Sequence, residues 1–583
     1  MNKKILIVLS VIFMCTSCDD LIEPAIENNR GLSDMYEEAE YAQGILLNAY
    51  TRLPSNGWSF NDVATDDAVS NDINSGYRKA ATGQWAANFN PLDQWTNSKA
   101  AIQYINIFLA EADKVRWAKD ENVSLLFRQR LKGEAYGLRA LYMYYLLQAH
   151  SGVTEKSELL GVPILLEPEV PTSNFNIPRN TFEQCMTQLY SDLAKAKEML
   201  PLDFEGETSL PPGYDNLNDY NRVFGDYARQ RMSGRIVMFL KAQAALLAAS
   251  PAFSTGSTTT WSNAADYAGQ LLVLNGGIAG LDANGLTWYS NTTELKDLKT
   301  GMNPKEVAWR TDVAESNNLE TDNFPPTLYG SGRINPTQNL VDAFPAANGY
   351  PISNALSNYS ATNPYANRDP RLKKFILVNQ DVSGVNSTVI TTASNGTTND
   401  ALNKVATSTR TGYYMKKLLR QDVNLNPNSK TNQRHYRPRM RYTELYLNYA
   451  EAANEAWGPE ATASYGFSAY DVIAAIRKRA GITQPDNYLT SIKSNKDAMR
   501  ELIRNERRLE LCFEGFRFWD LRRWKSNLGE SAQGMNIQGT TAAPTYTRIP
   551  SVEDRIFKDY MYYGPIPYFE TIKFNKLEQN KGW

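Results

Sequence analysis

The chain has 583 residues, with 61 Lys and Arg against 63 Asp and Glu, a formal net charge of −2. That balance carries no electrostatic footprint for nucleic acid, and two histidines, His150 and His435, argue against a histidine-rich metal site. The length suits a large core or several domains, while 33 tyrosines and 11 tryptophans suit polar, flat-faced ligands as well as a helical core.

The N-terminus reads as an export signal. Asn2, Lys3 and Lys4 precede an apolar run from Ile5 to Met14, too short to span a bilayer and the right length for a signal segment. Thr16 and Ser17 then precede Cys18, an arrangement that resembles a bacterial lipobox, with Cys18 acylated as the first residue of the mature chain. The alternative is an ordinary cleaved signal with an incidental cysteine. Each buried acyl methylene contributes about 0.8 kcal/mol, so several chains would hold a protein with no other membrane segment. Processing leaves Cys185 and Cys512, in separate predicted helices, which read as two lone core thiols.

The first half is mostly helix. Helices are expected from about Met35 to Leu53 and from about Asn97 to Val115. Between Leu131 and Ala149, residues Leu138, Leu141, Tyr142, Tyr145, Leu146 and Ala149 form one apolar stripe. Asn180-Thr181 caps a helix ending before Pro201. An alanine-rich helix runs from Arg229 to Ser250, where Ala242, Ala245, Ala248 and Ala249 suit close helix approach. Tyr442 to Trp457 and Tyr470 to Arg479 form a helical hairpin around Gly458-Pro459. Pairs of this kind suggest tetratricopeptide-like units stacked in a superhelix, without a strict 34-residue period; an irregular bundle is the alternative.

From about Phe253 to Gln433, Gly, Asn, Ser, Thr and Pro dominate, with short extended runs at Glu306–Trp309 and Phe375–Val378. A loop region of that size on a rigid scaffold is where function usually sits. A similar irregular segment is expected after Trp524.

The run Asn505 to Trp524, NERRLELCFEGFRFWDLRRW, mixes charges and aromatics without a catalytic arrangement. Met499, Leu502, Ile503, Leu509, Cys512 and Phe513 recur at helical spacing, and Glu501/Arg504 and Arg507/Glu510 are three apart. The physical reading is a buried, ion-paired helix end that fixes architecture. The run also resembles the C-terminal signature of the SusD/RagB family, the surface glycan-binding lipoproteins of Bacteroidetes. Other segments follow in the family's order: Glu134–Gln148 with Gly161-Val162-Pro163, Ala244–Phe253, Asn339–Phe344, Arg368–Leu372, and Arg441–Ala456. Gly564-Pro565-Ile566-Pro567 and Asn580-Lys581-Gly582-Trp583 resemble the closing motifs, with Gly564, Lys581 and Trp583 as departures. Asp19-Asp20 resembles the acidic signal that sends such lipoproteins to the cell surface.

The resemblance implies a mainly α fold: a superhelical scaffold of four tetratricopeptide-like units against a loop-rich, ligand-facing part. The expected divisions are a signal peptide at 1–17, a tether at 18–32, scaffold at 33–253, a loop-rich region at 254–435, scaffold at 436–525 and an irregular end at 526–583. Residues 33–583 then form one SusD-like unit. It further implies a non-catalytic protein, lipid-anchored in the outer membrane at the cell surface. Such a protein captures glycan and passes it to a SusC-like TonB-dependent transporter, with no cofactor.

Flat rings pack on the C–H face of a pyranose while amides and charged groups bond its hydroxyls. Loop aromatics are therefore the candidates: Trp58, Trp85, Trp288, Tyr289 and Tyr329, with Asn323 and Arg333 as hydroxyl partners. Trp85 stands out because a helix starts just after it. For each, the alternative is a loop aromatic tucked into the scaffold. Asp66, Asp67 and Asp72 are possible acceptors for hydroxyls or a cation, without a calcium-loop spacing. Competing functions are a glycoside hydrolase, a protein-interaction scaffold and a peptide-binding relative.

Overall fold

The structure is a computed structural model, and it describes residues 31–55, 57–298 and 301–583. Cys18, the signal segment and most of the expected tether lie outside the described residues.

Helices dominate. Those that build the scaffold are α1 (Ala39–Thr51), α2 (Trp95–Glu111), α3 (Glu121–His150), α4 (Phe182–Met199), α5 (Gly234–Ala249), α6 (Trp261–Leu274), α7 (Tyr442–Trp457), α8 (Ala469–Ala480), α9 (Lys496–Glu510) and α10 (Arg517–Arg523). Capping sets several starts. Asp120 accepts from Val123 N at 3.0 Å ahead of α3, and Thr181 with Gln184 forms a capping box ahead of α4. Each of α1 to α6 packs on the next of these scaffold helices, and α7 packs on α5, α6, α8 and α9. Ala242, Ala245, Ala248 and Ala249 are all buried in α5, where small side chains let its neighbours approach. Helix α6 falls beyond the expected scaffold boundary at 253. It packs on α5 and α7, so the scaffold reaches Leu274 before the loop-rich part begins. Among the described residues no helix is long and apolar enough to cross a membrane.

Strands are short and pair in twos. β1 (Ala68–Ser70) lies antiparallel to β3 (Ile334–Pro336), and β2 (Val307–Arg310) to β4 (Pro438–Arg441). The end of the chain differs from the irregular segment expected. β5 (Ala532–Thr540) and β6 (Ala543–Glu553) form a long hairpin, anchored where Arg78, Arg410 and Arg555 all meet Glu553. Most of β6 faces solvent and carries Pro544 and Pro550, so it shows no apolar alternation to read.

The apolar interior includes a large helical core, a second core under the loops, and smaller clusters, one of which holds Trp85 and Phe518. Helix α9 serves the first two. Met499, Leu502 and Ile503 sit in the helical core, whereas Leu509, Cys512 and Phe513, at and beyond its end, sit in the loop core. Its charges complete the join. Glu506 pairs with Arg371 at 2.8 Å and Arg477 at 2.7 Å, and Glu510 with Arg371 and Arg479, each at 2.9 Å. Arg507 reaches Asp520, not Glu510, while Glu501 and Arg504 do pair along the helix at 3.5 Å. Cys185 and Cys512 are free, buried thiols.

Candidate functional site

Most candidate residues fall in three places, only one of which presents an open ring. The first is the surface where β1 meets β3. Asn71 leaves β1 and donates through Nδ2 to Ser331 O and Gly332 O, both at 2.9 Å, pinning the loop 329–333. That loop is also clamped to the segment before it: Ser331, Gly332 and Arg333 donate their N–H groups to Thr321, Phe324 and Asp322 carbonyls. A Cβ at Gly330 would lie 2.1 Å from Phe324 O, so only glycine permits the approach. Tyr329 itself takes φ 65°, an uncommon value for a bulky residue, and its side chain is 57 % exposed. Four residues on, Arg333 lies 3.9 Å from Asp72, with both side chains more than a third exposed. A fixed, open ring in a loop with a solvated cation–carboxylate pair offers one apolar face and directed hydrogen bonds.

The second place is a crevice of about 300 Å³ between the loops and α3, α5 and α7. Trp58 is half-buried at its mouth, under the Arg437 guanidinium at 5.3 Å. Behind Trp58, at 6.3 Å between centroids, stands Trp288, which packs on Tyr289 and Tyr436. The structure therefore brings Trp58, Trp288 and Tyr289 together. Trp288 is only 1 % exposed, so the expectation that it holds a sugar is corrected: it is packed in the core under the loops and is no platform. Tyr289, on its far side, lines the third place, a cavity of about 650 Å³ shared with Tyr365, Lys373, Lys374 and Lys416.

Trp85 is a further correction. It is 6 % exposed, its Nε1 donates to Asn90 Oδ1 at 3.0 Å, and Phe518, Trp583 and Arg522 lie against its ring. No face is free for a ligand. Asn323, at 1 % exposure, donates to Leu319 O within its own helical turn, so it lies beneath the surface that carries Tyr329 rather than on it. Asp66 and Asp67 are likewise claimed by protein. Burial alone would raise the Asp66 carboxyl, but Arg508 and Arg517 outweigh it and hold it well below the usual range. Arg508 also pairs with Asp67 at 2.6 Å.

Sequence reasoning passed over the polar lining of the crevice. Arg437, Arg439 and Arg441 alternate along one extended stretch, the period that aims side chains the same way, and all three line the crevice. Glu444 and Asn448 follow four apart on α7, on one helix face. Burial pushes the Glu444 carboxyl up to about 7, against the pull of Arg507.

Comparison with known proteins bears on the whole chain. A model described as the SusD family matches residues 300–583, and one described as starch-binding associating with outer membrane matches residues 29–212. None of the curated proteins matches. A SusD-like protein from Bacteroides fragilis is 21% identical with a TM-score of 0.71, over 94% of this chain and 98% of that one. A SusD-like carbohydrate-binding protein from the same species is 19% identical with a TM-score of 0.68, over 93% of this chain and all (100%) of that one. A SusD superfamily protein from Parabacteroides distasonis has a TM-score of 0.58 at 17% identity, over 94% and 99% of the two chains. Family models at both ends of the chain, one fold along nearly all of it and the ordered motifs agree: the chain belongs to the SusD family.

Proposed function

We propose that this protein is a non-catalytic, outer-membrane-associated glycan-binding lipoprotein that captures oligosaccharide at the cell surface. It delivers the sugar to a SusC-like TonB-dependent transporter, with Cys18 as the acylated tether. The observation that carries the binding reading is Tyr329: an open ring, in a loop held by its own backbone hydrogen bonds, with Arg333 opposite Asp72 in the same loop. Rigid platforms lose little freedom on binding, which favours affinity. The family-model description and the carbohydrate-binding relative point to the same ligand class.

Binding is favoured over hydrolysis by the state of the buried acids. A glycosidase sets two carboxylates across the scissile bond, one protonated and one free to act. Glu444 has the raised pKa of an acid, but the carboxylates sharing its crevice are committed: Glu514 to Arg441 and Lys417, Asp520 to Arg507 and Arg523. Affinity electrophoresis against plant and host polysaccharides tests the reading, with a reducing-end assay alongside. Retardation without new reducing ends supports it; sustained release of reducing ends would replace it with the hydrolase.

A further inference from the structure

The crevice beside Trp58 has features that a packing defect would not have. Asn61 and Asn448 are 2 % and 1 % exposed, yet each presents one polar atom without a protein partner among the described residues: Asn61 Oδ1 and Asn448 Nδ2. Their other amide atoms are fixed. Asn61 Nδ2 donates to Gly515 O at 3.1 Å, and Asn448 Oδ1 accepts from Arg507 Nη1 at 2.6 Å. Glu444 repeats the pattern, with Oε1 accepting from Gln243 at 2.8 Å and Oε2 without a partner among the described residues. An acceptor, a donor and a carboxyl oxygen thus stand unpaired on side chains that line one small space, and vicinal hydroxyls, which both donate and accept, satisfy such a set.

Charge adds a second requirement. Arg441, Arg507 and Arg523 are each answered by carboxylates: Glu514 and Glu306, Asp520, and Glu451. Arg437 and Arg439 are not. Among the described residues Arg437 donates to Gly57 O, and Arg439 to Arg310 O and Pro54 O, all main-chain carbonyls. Both guanidinium groups lie over indoles, Arg437 on Trp58 and Arg439 on Trp309, at 5.3 and 5.0 Å. Burial lowers the pKa of each. Asp312 weighs on Arg439 from the surface, and the carboxylate that bears on Arg437, Glu514, is already bonded to Arg441. Two forked, stacked cations at the mouth are suited to one planar carboxylate.

We propose that this crevice is a second binding site, separate from the Tyr329 surface, for a single hexuronate unit: its hydroxyls on Asn61, Asn448 and Glu444, its carboxylate between Arg437 and Arg439. A volume of about 300 Å³ holds one sugar ring and not a chain, so the ligand is a free acidic monosaccharide or the end unit of an acidic oligosaccharide.

Calorimetry on the full chain tests this with glucuronate and galacturonate against glucose, galactose and acetate. The expected result is saturable 1:1 binding of a hexuronate, with neither neutral sugar nor acetate binding comparably. Arg437→Gln and Arg439→Gln, checked for unchanged melting, should each weaken that binding roughly tenfold or more. Tyr329→Ala should leave hexuronate binding intact, which separates this site from the surface platform. Wild-type protein that takes up no hexuronate, or binds glucose or acetate as well as glucuronate, overturns the proposal. So does hexuronate binding of unchanged Kd in Arg437→Gln, and so does a soaked crystal with the sugar elsewhere.

Discussion

Arg371 Nη1 lies 2.9 Å from Glu510 Oε1 with both side chains fully buried, and the pair joins the loop-rich part to helix α9. Arg371 also holds Asp369 and Glu506, so one guanidinium answers three carboxylates. Two opposed effects decide its worth. Removing four charges from water is costly, but removing the cation alone takes the partner of buried Asp369 and leaves Glu506 and Glu510 to Arg477 and Arg479. The second effect governs a single substitution. Arg371→Met should therefore destabilise the fold by about 3–5 kcal/mol, read as a lower urea midpoint. A midpoint within error of wild type would show that the network is dispensable.

Trp85→Ala should behave as a core truncation. Its ring is enclosed by Phe518, Trp583 and Arg522, so about 3–5 kcal/mol of stability is lost. Glycan affinity of the folded fraction should be unchanged. Calorimetry below the variant's melting temperature separates the two; a stable protein that no longer binds would return Trp85 to the site.

Glu444 gives a pH signature. Burial raises its carboxyl from 4.5 to about 7, so between those values the folded chain keeps a proton that the unfolded chain has lost. The stability tied to that proton is complete below about pH 4.5 and is lost as pH rises through 7. Relative to Glu444→Gln, wild type should lose roughly 3 kcal/mol across that window and nothing further above it. A stability difference between the two proteins that is flat from pH 4.5 to 8 would contradict this.

Helix positions were largely legible because their signals are local. Thr181 caps α4 through its neighbour Gln184, and α7 spans Tyr442–Trp457 as its aromatic stripe implied. The site was less legible because its decisive contacts are remote. Trp85 reads as an open loop ring until Phe518 and Trp583 arrive from the far end of the chain. Asp66 reads as a free acceptor until Arg517, 451 positions away, bonds it. Tyr329 stayed open for a local reason: its own turn, closed by Tyr329 N to Pro326 O at 2.9 Å, sets the residue at the loop's exposed corner.

The tether is tested in cells. Cys18→Ala should move the protein from the membrane fraction to the soluble one, since the lipid is proposed as the only anchor of this chain. Retention in the membrane as firm as wild type would require a different attachment.

The most direct measurement is the dissociation constant of wild type and Tyr329→Ala for the best glycan found in an oligosaccharide panel. Tyr329 is 57 % exposed, so the substitution should leave the melting temperature nearly unchanged. The account predicts binding by wild type and affinity weaker by roughly tenfold or more in the variant, about 1.4 kcal/mol. Equal affinity in the two proteins, or no glycan bound by wild type across the panel, would contradict it.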